Sequence, residues 1–251
     1  MGSQKQDELT VLVTGFAQRR AALPGPVPRQ PFLRDRKGSP GLPPTPPGQR
    51  PPLPKRRRRR RRRDHPPVRI LVHPEPIHVN YETVRKLVPS FWDDPRGGPT
   101  DYDFVIHIGM AGPRPVYQIE HRGHRTGYKS KDVDGLLLED EQEGMHGEDW
   151  IWHGLPEEIT TDLDIIDVHD RWQDHSSKDM DLRISEDPGH YLCDFIYYSS
   201  LAHLYKQNRE RKVIFLHVPA DSSERSIAQG RDLAINLIRS IAESEVARKK
   251  K

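Results

Sequence analysis

The sequence predicts an α/β fold, a three-layer α/β/α sandwich around a mixed, mostly parallel sheet. Two observations predict it. Short apolar runs rich in β-branched residues alternate along the chain with longer segments whose apolar residues recur at helical spacing. Strands that alternate with helices favour parallel pairing, because each helix returns the chain across the sheet.

Six segments have the apolar composition and turn boundaries of strands. In chain order they are residues 9–16, 68–72, 104–109, 116–120, 182–184 and 213–218. The last is apolar throughout except for His217, as expected of a strand buried on both faces.

Four segments have helical periodicity or helix boundary signals. They are residues 81–92, 163–172, 190–206 and a last helix that begins near Ser223. Asp187-Pro188-Gly189 precedes the third helix, and Ser223 with Ser226 supplies a capping signal for the fourth.

The region 17–66 differs in composition from the rest of the chain. It holds many of the prolines and, after Lys55, the eight consecutive arginines Arg56–Arg63. The net charge is +3 and the mean hydropathy is −0.84, which is low for a chain that packs throughout. We therefore predict three parts: a first core strand (1–16), a disordered Pro/Arg-rich segment (17–66) and an α/β domain (67–248).

The composition excludes several classes of protein. One cysteine allows no intramolecular disulfide and no zinc site built on several thiolates. The first residues lack the apolar core of a secretory signal, and no apolar run reaches the roughly 18 residues of a membrane span. We expect a soluble, cytoplasmic protein that does not contact a membrane.

Cys193 is the clearest candidate for a catalytic residue, because it lies at the start of a predicted helix. Unpaired N–H groups and the helix dipole there favour a thiolate and can stabilise an oxyanion. His217 and Glu120 lie at the ends of predicted strands and could complete a catalytic triad. The residues alone leave other interpretations open: a lone cysteine is commonly a buried apolar residue, and spacing does not select His217 among 13 histidines.

The chain resembles the type I pyroglutamyl peptidase family over residues 11–16, 104–112, 118–120, 123–128, 184–201 and 213–219. The resemblance implies a cysteine peptidase that removes N-terminal pyroglutamyl residues through a thioester. It implies that Cys193 is the nucleophile, that His217 acts as general base and then acid, and that Glu120 orients the imidazole. It implies no metal and no organic cofactor.

The same resemblance extends to substrate recognition. Phe16, Tyr191 and Leu192 correspond to the surroundings of the lactam-ring pocket, and Arg125 is a candidate for oxyanion assistance. Pyroglutamyl peptides are the expected partners. The family contains monomers and tetramers, so a homo-oligomer remains open.

The chain departs from the family after Phe16, where the first helix and a pocket phenylalanine are missing. Shifted forward by one base, suitable synonymous codons for residues 22–44 can encode a segment that resembles the missing part. Our hypothesis is that about 17–66 is read out of frame. Two alternatives follow: a catalytically weak or inactive peptidase-like protein and, with less support, nucleic-acid binding through Arg56–Arg63.

Overall fold

The computed structural model describes residues 8–17, 65–141 and 147–250. Strands and helices alternate over much of this part of the chain. The strands are β1 (Leu9–Ala17), β2 (Val68–Val72), β3 (Ile77–His78), β4 (Phe104–Gly112), β5 (Val116–Glu120), β6 (Arg122–His124), β7 (Glu158–Thr160), β8 (Asp181–Ser185) and β9 (Val213–Pro219). The helices are α1 (Tyr81–Trp92), α2 (Ile165–His175), α3 (Leu192–Lys206) and α4 (Glu224–Arg248).

The main sheet has the strand order β2-β1-β4-β9-β5-β8, with β3 also paired to β1. The pairs from β2 to β9 are parallel, β5 is antiparallel to β9, and β8 is parallel to β5. This confirms the predicted mixed, mostly parallel sheet. The reversal at β5 has a direct consequence for the site described below.

Helices cover both faces of the sheet, as the predicted three-layer sandwich requires. One core contains apolar residues of α1 and α3, including Val84, Val88 and Phe195. The opposite core contains those of α2 and α4, including Trp172 and Leu237. Since α3 is buried along most of its length, its position on the sheet is fixed by packing.

Some boundaries differ from the predicted ones. α3 begins at Leu192 rather than at His190, because Gly189 has a φ of +82° and Tyr191 is an extended N-cap. β6 and β7 form a separate two-stranded sheet that the sequence did not predict. α4 is capped as predicted, with the Ser226 N–H donating to the Ser223 side chain.

The Pro/Arg-rich segment is mostly outside the described residues. Ala17, which was assigned to that segment, is the last residue of β1, and His65 and Pro66 lead into β2. The predicted disorder of the remainder and the run Arg56–Arg63 both fall within 18–64, outside the described residues.

The β2 edge carries an exposed apolar strip. Its register with β1 puts Val68, Ile70 and Val72 on the α2/α4 face of the sheet, beside Val11 and Val13. Ile70 is 43% exposed and Val72 is 70% exposed. Within the described residues, therefore, this end of the face is incompletely covered.

Candidate active site

Glu120 and His217 form a buried pair on the α3 side of the sheet. The antiparallel register places Glu120 opposite Phe215 and Gln118 opposite His217, so that Glu120 and His217 are diagonal neighbours on one face. The imidazole Nδ1–H donates to Glu120 Oε1 over 2.6 Å. Both side chains are almost completely buried. The pair fixes the imidazole tautomer and leaves Nε2 free to accept a proton.

The Glu120 carboxylate is suited to stabilising a positive charge on that ring. Its Oε2 is buried and has no hydrogen-bond partner among the described residues. The Tyr197 hydroxyl donates to the Glu120 backbone carbonyl over 2.9 Å, which anchors the end of β5 to α3. A buried carboxylate with an unsatisfied oxygen is stabilised most strongly when its partner becomes a positively charged imidazolium.

Cys193 is the second residue of α3, and its sulfur lies over Gly109 of β4. A Cβ added at Gly109 would be 2.9 Å from Cys193 Sγ and 2.6 Å from Phe215 Cζ, so only glycine leaves room for this approach. Gly109 pairs directly with His217, and adjacent strands are about 4.8 Å apart. The sulfur therefore occupies the side-chain position next to His217 on the same face.

The thiol is not activated in the resting geometry. Among the described residues it makes no hydrogen bond, the imidazole included. Although part of Cys193 reaches the surface, burial raises the pKa of its thiol to about 12, and the negative charges of Glu120 and Asp194 add to this increase. In this geometry burial therefore opposes the thiolate that the helix terminus was expected to favour, because desolvation disfavours the charged form of the thiol.

The start of α3 presents free hydrogen-bond donors beside the sulfur. Tyr191 makes no side-chain cap, and the first helical hydrogen bond runs from the Phe195 N–H to the Tyr191 carbonyl. In the described part of the chain, the N–H groups of Cys193 and Asp194 accordingly have no hydrogen-bond partner. Donors in this position can bind an oxyanion that forms next to Cys193.

The predicted pocket residues gather around the same core but differ in exposure. Phe16 and Tyr191 are partly buried and pack against the α1/α3 core, as does Cys193. Leu192 is completely buried within that core, so it can support a pocket wall but does not reach solvent. Tyr191 and Tyr81 make an edge-to-face contact at 6.4 Å.

Arg125 is engaged elsewhere. Its guanidinium donates to the Leu155 carbonyl and to Glu157. It also lies 5.4 Å from the ring centre of Trp150. None of these contacts is with the Glu120–His217 pair or with Cys193. The structure therefore gives the predicted oxyanion assistance by Arg125 no support.

Sequence reasoning missed two parts of this site. Gly109 was not identified, although a glycine inside a buried strand is a known sign of close approach. The pair His124–Asp194 was also missed: the His124 backbone N–H and Nδ1 donate to the two oxygens of Asp194 over 2.9 and 3.0 Å. These two residues are 70 positions apart, so no local pattern predicts their contact.

The chain is similar in sequence to proteins of known function. Pyroglutamyl-peptidase 1 from mouse is 34% identical over 148 residues, and the human protein of the same name is 32% identical over 148 residues. Each alignment covers 59% of this chain and 62% of the relative. The chain thus matches less than two thirds of the length of these curated relatives. No protein-family profile matches the chain.

Solved structures support the fold. The pyrrolidone carboxyl peptidase from Thermococcus litoralis has a TM-score of 0.56 at 16% identity, covering 97% of this chain and 96% of that one. Pyroglutamyl peptidase I from Bacillus amyloliquefaciens has a TM-score of 0.54 at 15% identity, with 95% of each chain covered. The chain is thus similar in sequence to pyroglutamyl-peptidase 1 over part of its length, and it shares the fold of the pyrrolidone carboxyl peptidases.

Proposed function

We propose that the chain is a cysteine peptidase that removes pyroglutamyl residues from the N-termini of peptides. The observation that carries the proposal is the buried Glu120–His217 pair with Cys193 Sγ seated beside it over Gly109. The names of the mouse and human relatives support the substrate class.

The first chemical step requires a general base, because the high pKa of Cys193 keeps the sulfur protonated at neutral pH. His217 Nε2 accepts the thiol proton while Nδ1 remains bonded to Glu120. The resulting sulfur attacks the pyroglutamyl carbonyl carbon. The oxyanion is received by the free N–H groups at the start of α3, and Glu120 stabilises the imidazolium.

The second half of the reaction reverses the proton transfer. His217 protonates the leaving amine, which departs as the shortened peptide and leaves a thioester on Cys193. Water then gives a proton to His217 Nε2 and attacks the thioester, and collapse of the intermediate releases pyroglutamic acid and the free thiol. All these steps use side chains and backbone groups of the chain, without metal or organic cofactor.

Phe16, Tyr191 and Leu192 are proposed to surround the lactam ring. Their association with the core that holds Cys193 supports this assignment. A lactam lacks the positive charge of an ordinary N-terminus. Apolar surroundings therefore favour binding of the lactam over binding of a free ammonium group. Whether the chain self-associates is open to measurement by light scattering.

We propose that the protein is cytoplasmic, because the proposed nucleophile requires a compartment in which a free thiol stays reduced. None of the helices in the described ranges has the length and apolar character to cross a bilayer.

The test is hydrolysis of a fluorogenic pyroglutamyl amide by the purified 251-residue chain. The matched substrate is the prolyl amide with the same leaving group, which keeps the five-membered ring but has a charged amine and no lactam. We expect turnover of the first substrate only, and complete loss in Cys193→Ala. Circular dichroism establishes that the variant is folded.

Two outcomes would favour the alternatives. A folded chain that turns over neither amide would be a peptidase-like protein without activity. DNA binding that weakens steeply with salt and disappears when residues 55–63 are deleted would support a nucleic-acid function.

A further inference from the structure

A second cluster of chemically active side chains lies beside the proposed catalytic centre. His124 at the end of β6, and Asp187 and His190 in the loop before α3, converge on one point. One potential ligand atom from each lies within 4.8 Å of the other two. The two histidine rings are 4.9 Å apart, centre to centre. The mechanism above uses none of these three residues.

His124 is held in an orientation suited to ligation. Its Nδ1–H donates to Asp194 Oδ2, and its backbone N–H donates to Asp194 Oδ1. Asp194 is completely buried. With Nδ1 committed to a buried carboxylate, Nε2 carries the free lone pair. A carboxylate behind a histidine is the usual outer support of metal-binding imidazoles, and it increases their basicity.

The loop residues are also positioned by their surroundings. The Asp187 carboxylate accepts the Gly189 N–H over 2.8 Å. The His190 ring packs on Gly127, where an added Cβ would lie 2.8 Å from Nδ1. Gly127 has a φ of +100°, a backbone conformation that favours glycine. Its lack of a side chain leaves space for the imidazole.

We propose that His124, Asp187 and His190 form a binding site for a divalent transition metal ion, with Zn²⁺ as the best match. Two imidazoles and one carboxylate are a donor set that zinc accepts, with water in the remaining position. Zinc bonds of about 2.1 Å require ligand atoms about 3.4 Å apart. The ligand atoms must approach one another by up to about 1.4 Å, and the exposed Asp187 and His190 side chains can supply that movement.

Bound zinc would connect β6 to the loop that leads into Cys193. Asp194, the outer support of His124, directly follows Cys193 in the first turn of α3. The ion would thereby stabilise the start of α3 and couple metal availability to the geometry around the nucleophile. It takes no part in the peptidase steps, so the site can exist whether or not the chain is an active peptidase.

In the experiment, Zn²⁺ is titrated into the full chain that carries Cys193→Ser, and binding is measured by calorimetry. This background removes the thiol as a competing ligand. A parallel titration with Co²⁺ reports ligand geometry through its visible absorption. We expect one ion per chain and a rise in Tm with Zn²⁺ concentration. His190→Ala and His124→Gln should each weaken binding at least about tenfold.

The control is His153→Ala, which removes an exposed histidine outside the cluster and should leave zinc affinity unchanged. His190→Ala is the decisive variant, because this partly exposed side chain can be removed without opening the core. The proposal is overturned if no ion binds, if His190→Ala binds Zn²⁺ as tightly as its parent, or if only variants that keep Cys193 bind it.

Discussion

His107 should make the stability of the fold sensitive to acid. It is 1% exposed in the middle of β4. Nδ1 hydrogen-bonds Thr14 Oγ1 of β1 over 2.7 Å, and Nε2 hydrogen-bonds Ser200 Oγ of α3 over 2.8 Å. The histidine thus links two strands to the helix that carries Cys193. Burial lowers the pKa of His107 from 6.5 to about 3, without a contribution from a charged neighbour.

The sign and size of the effect follow from proton linkage. Between pH 6.5 and 3 the unfolded chain binds a proton at this position and the folded chain does not, so stability decreases as the pH falls. Each pH unit well below 6.5 costs about 1.4 kcal/mol. From pH 7.5 to pH 5 the expected loss from His107 alone is about 2 kcal/mol.

The assay is urea unfolding of the wild type and His107→Gln at pH 7.5 and pH 5. Glutamine keeps hydrogen-bonding capacity but does not titrate, and all other groups are common to both proteins. The wild type should lose about 2 kcal/mol more than the variant between the two pH values. His153→Gln should behave like the wild type. Equal losses in the wild type and His107→Gln would refute the reasoning, whatever their absolute stabilities.

Three further predictions concern the site. The rate of Cys193 alkylation by iodoacetamide should rise about tenfold per pH unit between pH 7 and 10, because burial raises the thiol pKa to about 12; a plateau below pH 8 would show a thiolate already formed. Glu120→Gln should lower kcat by about 10³- to 10⁴-fold with little change in KM, because a neutral amide does not stabilise the imidazolium; steady-state kinetics in which only KM rises would contradict this. Gly109→Ala should reduce turnover and cost about 1–3 kcal/mol in thermal unfolding, because its methyl group meets Phe215 and the sulfur. Gly230→Ala in α4 should be neutral or stabilising, because the added methyl group would lie in ordinary contact with the Tyr117 side chain, 3.7 Å from its hydroxyl oxygen.

The fold was largely predictable because its main elements have strong local patterns. The apolar run of β9 and the Ser223 cap of α4 identify those elements directly. β6 and β7 were missed because three-residue strands are too short to show a periodicity. The antiparallel direction of β5 was also beyond the sequence, since apolar residues alone do not encode strand direction.

The residues of the candidate site could be predicted from the sequence, but the raised pKa of the Cys193 thiol could not. Cys193, His217 and Glu120 came from the family resemblance, because their distances along the chain say nothing about contact. The diagonal contact of Glu120 with His217 depends on the β5–β9 register. The raised pKa of Cys193 depends on how α3 packs against the sheet, and a helix-terminus argument made from sequence omits that burial.

The central claim is that Cys193 carries the acyl group during turnover. It is tested most directly by acid-quenching the chain during hydrolysis of a pyroglutamyl amide and mapping the adduct by peptide mass spectrometry. We predict a pyroglutamyl thioester on Cys193 that accumulates before product release and is absent from Cys193→Ala. Turnover that persists in Cys193→Ala, or an acyl group found on another residue, would contradict it.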